Sequence, residues 1–120
     1  MSSMSIINVD RRDDFRGDDV VLLAMDDEGV IEVLKAIREA MSSGGPIYLR
    51  GALHHELRIE AGRSDLLLTE SGVTWCFSEP KYAEVVSKLE AMVAFGRASH
   101  QYVDIAAPVP TLVLSVNEYV

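Results

Sequence analysis

Six polar side chains are the first candidates for chemistry: His54, Glu56 and Arg58 in one segment, and His100, Tyr102 and Asp104 in another. In each segment they occupy every second position. Between them fall Leu53, His55, Leu57 and Ile59 in the first segment, and Gln101, Val103 and Ile105 in the second. A β-strand sends alternate side chains to opposite faces, so each polar set projects to one side. Two imidazoles and two carboxylates on one surface suit divalent-metal ligation or general acid–base work, with Glu56 joining His54 and His100. The same six residues also make a polar recognition surface, or a solvated sheet face. The usual signs of an enzyme are absent: no HExxH, GxSxG elbow, dinucleotide fingerprint or zinc-finger spacing occurs. Gly44-Gly45 closes a helix instead of opening one, the wrong polarity for an anion site. No catalytic residue, metal ligand set or cofactor is assigned, and recognition leads over catalysis.

Three residues near these sets invite chemistry but read more simply as structure. His55 falls on the apolar side of its strand and is expected to be a hydrogen-bonded histidine at the edge of the core. Trp75, between Val73 and Phe77 in alternation, reads as core. Cys76 points the other way and has no basic neighbour in sequence to activate its thiol. A lone cysteine makes no internal disulfide and fits a reducing, cytoplasmic compartment. Tyr48, Tyr102 and Tyr119 suit interface anchoring, and Tyr102 alone has a strand-parity reason to face outward.

The elements that must position these residues repeat. Val21–Ala40 aligns with Val73–Met92 at an offset of 52, and Ala52–Ser71 with Ala98–Asn117 at an offset of 46. The second alignment has six identities in twenty positions, including His54 with His100, against roughly one expected from composition. Two strand-helix-strand-strand units follow, spanning 20–71 and 72–117. The opening strands alternate in phase, with Val21, Leu23 and Met25 matching Val73, Trp75 and Phe77. Asp26 or Asp27 caps the first helix, and Ser78 caps the second just ahead of Pro80. Val30, Val33, Leu34, Ile37, Ala40 and Met41 form one helical stripe; Tyr82, Val85, Val86, Leu89, Met92 and Val93 form the other. Gly44 and Gly96 stop them.

The change of offset implies a six-residue loop insertion around Pro46–Gly51. Tight connections imply antiparallel pairing of 53–60 with 65–70, and of 100–105 with 111–117. Residues 5–9 read as an extra edge strand and Asp10–Asp19 as an exposed charged loop. The expected fold is one α+β domain of internally duplicated units, with an antiparallel-rich sheet of about six strands, both helices on one face, and an acidic segment at 1–19.

Composition narrows the partners. The chain of 120 residues is 48% hydrophobic and 25% charged, with a net charge of −8, which argues against nucleic acid. Its apolar runs are too short to span a bilayer, and Met1–Ser5 lacks the basic and apolar regions of a secretory signal. The first 30 residues hold eight acids and three bases, most of the imbalance. Asp13, Asp14, Asp18 and Asp19 are thus candidates to steer a basic protein partner.

The C-terminal stretch His100-Gln101-Tyr102-Val103-Asp104, followed by Leu114-Ser115-Val116-Asn117-Glu118-Tyr119, resembles the tail of small uncharacterised bacterial proteins, some of them similar to immunity proteins of toxin systems. The resemblance implies a cytoplasmic protein that neutralises a toxin by binding it, and carries over no catalytic residue. The leading expectation is a non-enzymatic protein-binding domain. Its alternatives are a small metal-binding or hydrolytic enzyme using His54, His100 and Glu56, and a homodimer formed through the open sheet face.

Overall fold

A computed structural model describes residues 5–120; Met1–Met4, which belong to the stretch read as lacking a secretory signal, lie outside the described residues. Ten elements follow in order: β1 (Ile7–Phe15), β2 (Asp18–Met25), α1 (Asp27–Ser43), β3 (Ile47–Arg50), β4 (His54–Ile59), β5 (Ser64–Leu68), β6 (Gly72–Phe77), α2 (Glu79–Phe95), β7 (Ser99–Asp104) and β8 (Thr111–Val116). The α+β class stands, but the expected sheet of six strands is two mixed sheets of four, ordered β1-β2-β8-β7 and β3-β4-β6-β5. These are named sheet A and sheet B below.

The chain runs as two hairpin–helix–hairpin units, β1-β2-α1-β3-β4 and β5-β6-α2-β7-β8. Each sheet takes the first hairpin of one unit and the second hairpin of the other. The inner strands therefore meet as parallel pairs, β2 with β8 and β4 with β6, flanked by antiparallel outer strands. β2, at the middle of its sheet, is covered on both sides, by the main core on one and by a second small cluster with Phe15 on the other, which explains the unbroken apolar run Val20–Met25, all buried.

Four expectations change with this topology. Asp10–Asp19 is mostly strand: β1 runs on to Phe15, with a register shift between Arg12 and Phe15, and pairs with β2. Pro46–Gly51 is not a loop insertion, because Ile47 and Leu49 turn inward and build β3 against β4. The segment after Gly62-Arg63-Ser64 does not pair with β4; β5 lies beyond β6 and pairs with that strand through the turn at Thr69–Gly72. The alignment at offset 46 equates β4, an inner strand, with β7, an outer one.

The helix boundaries agree with their signals. Asp26 is extended at the N-cap of α1 and accepts the Gly29 N–H at 2.7 Å, while Ser78 accepts the Lys81 N–H ahead of α2. Gly44 and Gly96 take left-handed conformations at the C-caps and donate to Ala40 and Met92. The apolar stripes of both helices join the inner faces of both sheets in one core, although Val93 is exposed. The helices meet through Arg38 and Glu90, which pair as the twelfth residue of each.

Backbone bonds also tie the sheets together. Ala52 N–H reaches Ile7 O, and the loop after β7 bonds β5 through Leu66 N–H to Ala107 O and Ala106 N–H to Ser64 O. The outer edge of β7 is closed differently: Lys81 and Lys88 of α2 donate to the carbonyls of Asp104 and Tyr102. Both ammonium groups also hold Glu84. Burial raises the pKa of that carboxyl, but the hydrogen bonds from Lys88 and Lys81 outweigh it and leave the pKa below the usual range. Lysines on edge carbonyls block strand addition from another chain.

Candidate functional site

The six alternating residues do face away from the core, yet they do not share a surface. His54, Glu56 and Arg58 lie on β4 and project from the outer face of sheet B. His100, Tyr102 and Asp104 lie on β7 and project from the outer face of sheet A. The duplicated reading placed them together because it assumed a single sheet. Among the described residues no group of three or more His, Cys, Asp or Glu side chains is arranged to hold a metal. The metal set His54, His100 and Glu56 is therefore not assembled.

On sheet B the outer charges neutralise one another. Arg58 pairs with Glu56, and Arg63 reaches Glu60 at 2.9 Å and Asp65 at 2.8 Å. Beneath them lies Cys76, buried on the same side as Arg58 and Asp65 across the register. Burial pushes its thiol up to about 11, with the hydrogen bond and charge of Glu60 acting in the same direction against Arg63 and Arg58. It is a thiol at neutral pH and a poor nucleophile.

Inside the same sheet, His55 is 1% exposed, and its Nδ1 accepts the Trp75 Nε1–H at 3.1 Å. The hydrogen-bonded core histidine expected from parity is what the fold contains. Accepting at Nδ1 places the ring proton on Nε2. Desolvation, then the nearby charge of His54, lowers its pKa to about 4. Gln101, its proposed counterpart, is instead exposed.

Sheet A is different. Its register lays three rows across the outer face: Asn8-Ala24-Ser115-His100, Asp10-Leu22-Val113-Tyr102 and Arg12-Val20-Thr111-Asp104. A second small apolar cluster, Val20, Leu22, Ala24 and Val113, fills the middle, with Phe15 packed on it. The C-terminal tail turns back over this face. Asn117, at φ 60°, donates to Asp27, and Glu118 meets Ser115 Oγ at 3.2 Å and His100 Nδ1 at 2.9 Å. The Tyr119 ring stands edge-on to Phe15 at 5.8 Å, with the Arg12 guanidinium 6.0 Å above it. His100 and Tyr102 are likewise edge-to-face, 5.4 Å apart.

The acidic hairpin β1-β2 borders this same face, so the acidic candidates meet the β7 half of the alternating set, His100, Tyr102 and Asp104, while His54, Glu56 and Arg58 stay on the other sheet. Asp10 pairs with Arg12 and Asp13 with Arg11, while Asp19 accepts the Asp14 N–H. The carboxylates of Asp14, Asp18 and Asp104 have no hydrogen-bond or ion-pair partner among the described residues. A groove of 370 Å³ opens between the hairpin tip and β7, lined by Phe15, Arg16, Asp18, Val20, Tyr102, Asp104 and Thr111. Sheet A thus combines uncompensated negative charge, exposed aromatic rings and a concavity, which suits recognition of a cationic surface.

Sequence reasoning missed Phe15, Arg16 and Thr111 at this site. One signal was present: Phe15 is the lone aromatic residue within the charged run Asp10–Asp19. No protein-family model, curated protein or solved structure matches the chain significantly. No described helix is long and apolar enough to cross a membrane.

Proposed function

We propose that this is a non-enzymatic binding protein, of the immunity-inhibitor kind, that captures a basic protein partner on the outer face of sheet A. The observation that carries the reading is the convergence of the acidic hairpin with Tyr102 and Asp104 around one groove. Aromatic side chains anchor interface centres, and an acidic rim around them raises the rate of encounter with a basic partner. A cytoplasmic bacterial setting, with the partner encoded by the adjacent gene, belongs to the same proposal. So does an origin by duplication, supported by helices matched at an offset of 52 and by the Arg38–Glu90 pair at equivalent positions.

The test is association kinetics with the product of the adjacent gene. Asp13→Lys with Asp14→Lys should slow association roughly tenfold at about 20 mM salt, and the difference should shrink at about 0.5 M as screening takes over. No measurable complex, or a rate indifferent to both charge and salt, would overturn the reading.

A homodimer is a second reading, favoured by the outer face of sheet B. There Tyr48, 72% exposed, and the exposed Leu67 end a row that crosses Glu56 and Thr74. Exposed apolar groups on a charge-neutralised face suit self-association. Sedimentation at about 100 µM should then show twice the monomer mass, falling to the monomer on Tyr48→Ser with Leu67→Ser. A monomer mass for the unaltered protein removes this reading.

A further inference from the structure

We infer that the groove between the β1-β2 hairpin and β7 is a receptor for one arginine side chain of the protein partner. The inference rests on the proposed function and identifies the chemical group that the acidic face would grasp. Four features of the groove point to a guanidinium. Phe15 and Tyr102 both line it, and Tyr102 is 45% exposed. Asp18 and Asp104 flank it with carboxylates that have no partner among the described residues, whereas Asp10 and Asp13 nearby are already paired. Val20 and Thr111, neighbours across the β2–β8 register, supply an apolar stretch and one hydroxyl between them. Finally, the Phe15 ring already takes a cation, since the Arg16 guanidinium lies 5.8 Å from its centroid.

The choice of arginine over lysine follows from shape and solvation. A guanidinium is flat, weakly hydrated and forked, so it stacks on a ring while donating to carboxylates on its edges. An ammonium keeps its water and has no face to stack. Lysines are also present beside β7, but Lys81 and Lys88 are committed to Glu84 and to the carbonyls of Asp104 and Tyr102. While Arg12 in the neighbouring row is paired with Asp10, among the described lining residues Arg16 is the cation that an incoming arginine must displace or stand beside. The Asp18 and Asp104 carboxylates together exceed its charge.

The experiment is a titration of the full chain with acetyl-Gly-Ser-Arg-Ser-Gly-amide at low salt, followed by amide and aromatic NMR shifts. Parallel titrations use the same peptide with lysine or with citrulline, which keeps the shape of arginine but lacks its charge. The expected result is shifts centred on Phe15, Val20, Tyr102 and Thr111, with arginine bound at least fivefold tighter than lysine and citrulline not bound. Asp18→Asn with Asp104→Asn should weaken the arginine peptide at least tenfold, and Tyr102→Leu at least threefold. Asp13→Asn with Asp14→Asn should change it less than twofold. Thermal unfolding of each variant verifies that the fold is kept.

Equal binding of arginine and lysine, indifference to Tyr102, or shifts spread along the hairpin would show diffuse attraction and overturn the inference. Tighter binding of free L-arginine than of the peptide would also overturn it, in favour of a small-molecule site. None of these outcomes touches the association test with the partner, which reads Asp13 and Asp14 outside the groove. Loss of that association alone would remove the proposed function while leaving the peptide result as a property of the groove.

Discussion

Trp75→Ala should destabilise the fold by about 5 kcal/mol, a large share of the roughly 5–15 kcal/mol that holds a domain of this size together. Trp75 stands mid-strand on β6 with Leu57 on one side and Leu66 on the other in register, all three buried. Its ring meets Phe77 at 5.6 Å, and Phe77 meets Tyr82 of α2 at 5.3 Å. Truncation therefore opens a cavity where sheet B packs on the helix. Emptying such a site costs about 3–5 kcal/mol, and leaving His55 Nδ1 without its donor adds about 1–3 kcal/mol. Trp75→Phe keeps most of the volume and loses the donor, so it should cost about 2 kcal/mol. Urea unfolding followed by circular dichroism separates the two, since Trp75 is the sole tryptophan and fluorescence is lost with it. Equal costs for both variants would mean that the hydrogen bond, not the packing, sets the stability there. The proposed binding face lies on the other sheet, so folded variants should keep whatever partner association the unaltered protein shows.

Much of this framework was legible in the sequence because it depends on local rules. Caps at Asp26 and Ser78, stops at Gly44 and Gly96, and two apolar stripes all follow from chain neighbours within a turn of helix. Strand parity was legible for the same reason: His55 and Leu57 point in, His54 and Glu56 point out. What was not legible is which strand meets which. An alternating segment looks the same beside any partner, and the exchange of hairpins between the two units is a property of pairing over long separations. That one ambiguity divided the six outward residues between two faces.

The charged hairpin was misread for a different reason. Polar runs ordinarily signal loops, but an edge strand wet on both sides is polar too. A finer pattern distinguishes them. Residues two apart share a face of a strand, so Asp10 with Arg12 and Arg11 with Asp13 are opposite charges placed to pair along β1, as both do. The site's groove needed the tertiary fold, because Phe15, Tyr102 and Asp18 come from three separate strands and their spacing along the chain carries no trace of their meeting.

Stability should fall by about 3 kcal/mol as the pH drops from 6.5 to 4, through His55 alone. The sign follows from the two states. In the folded protein the pKa of His55 is lowered to about 4, while the unfolded chain takes up a proton near the ordinary value of 6.5. Between these values the unfolded state binds more protons, so acid favours it; above 6.5 neither state holds the proton and stability is level. The physical cause is visible at both ring nitrogens. Nδ1 is occupied by the Trp75 N–H and cannot accept a proton without breaking that bond, and Nε2 is buried with no protein partner among the described residues. The strands beside His55 face it with Leu49 and Val73, and the charge of neighbouring His54 opposes protonation. His55→Asn keeps an acceptor toward Trp75 but cannot titrate, so its unfolding free energy should lose up to one proton's worth of slope, about 1.4 kcal/mol per pH unit, in this window. Denaturant midpoints measured at half-unit steps of pH for both proteins give that difference directly. Parallel pH profiles would show that His55 is already charged in the folded state, which the donated Trp75 hydrogen bond forbids.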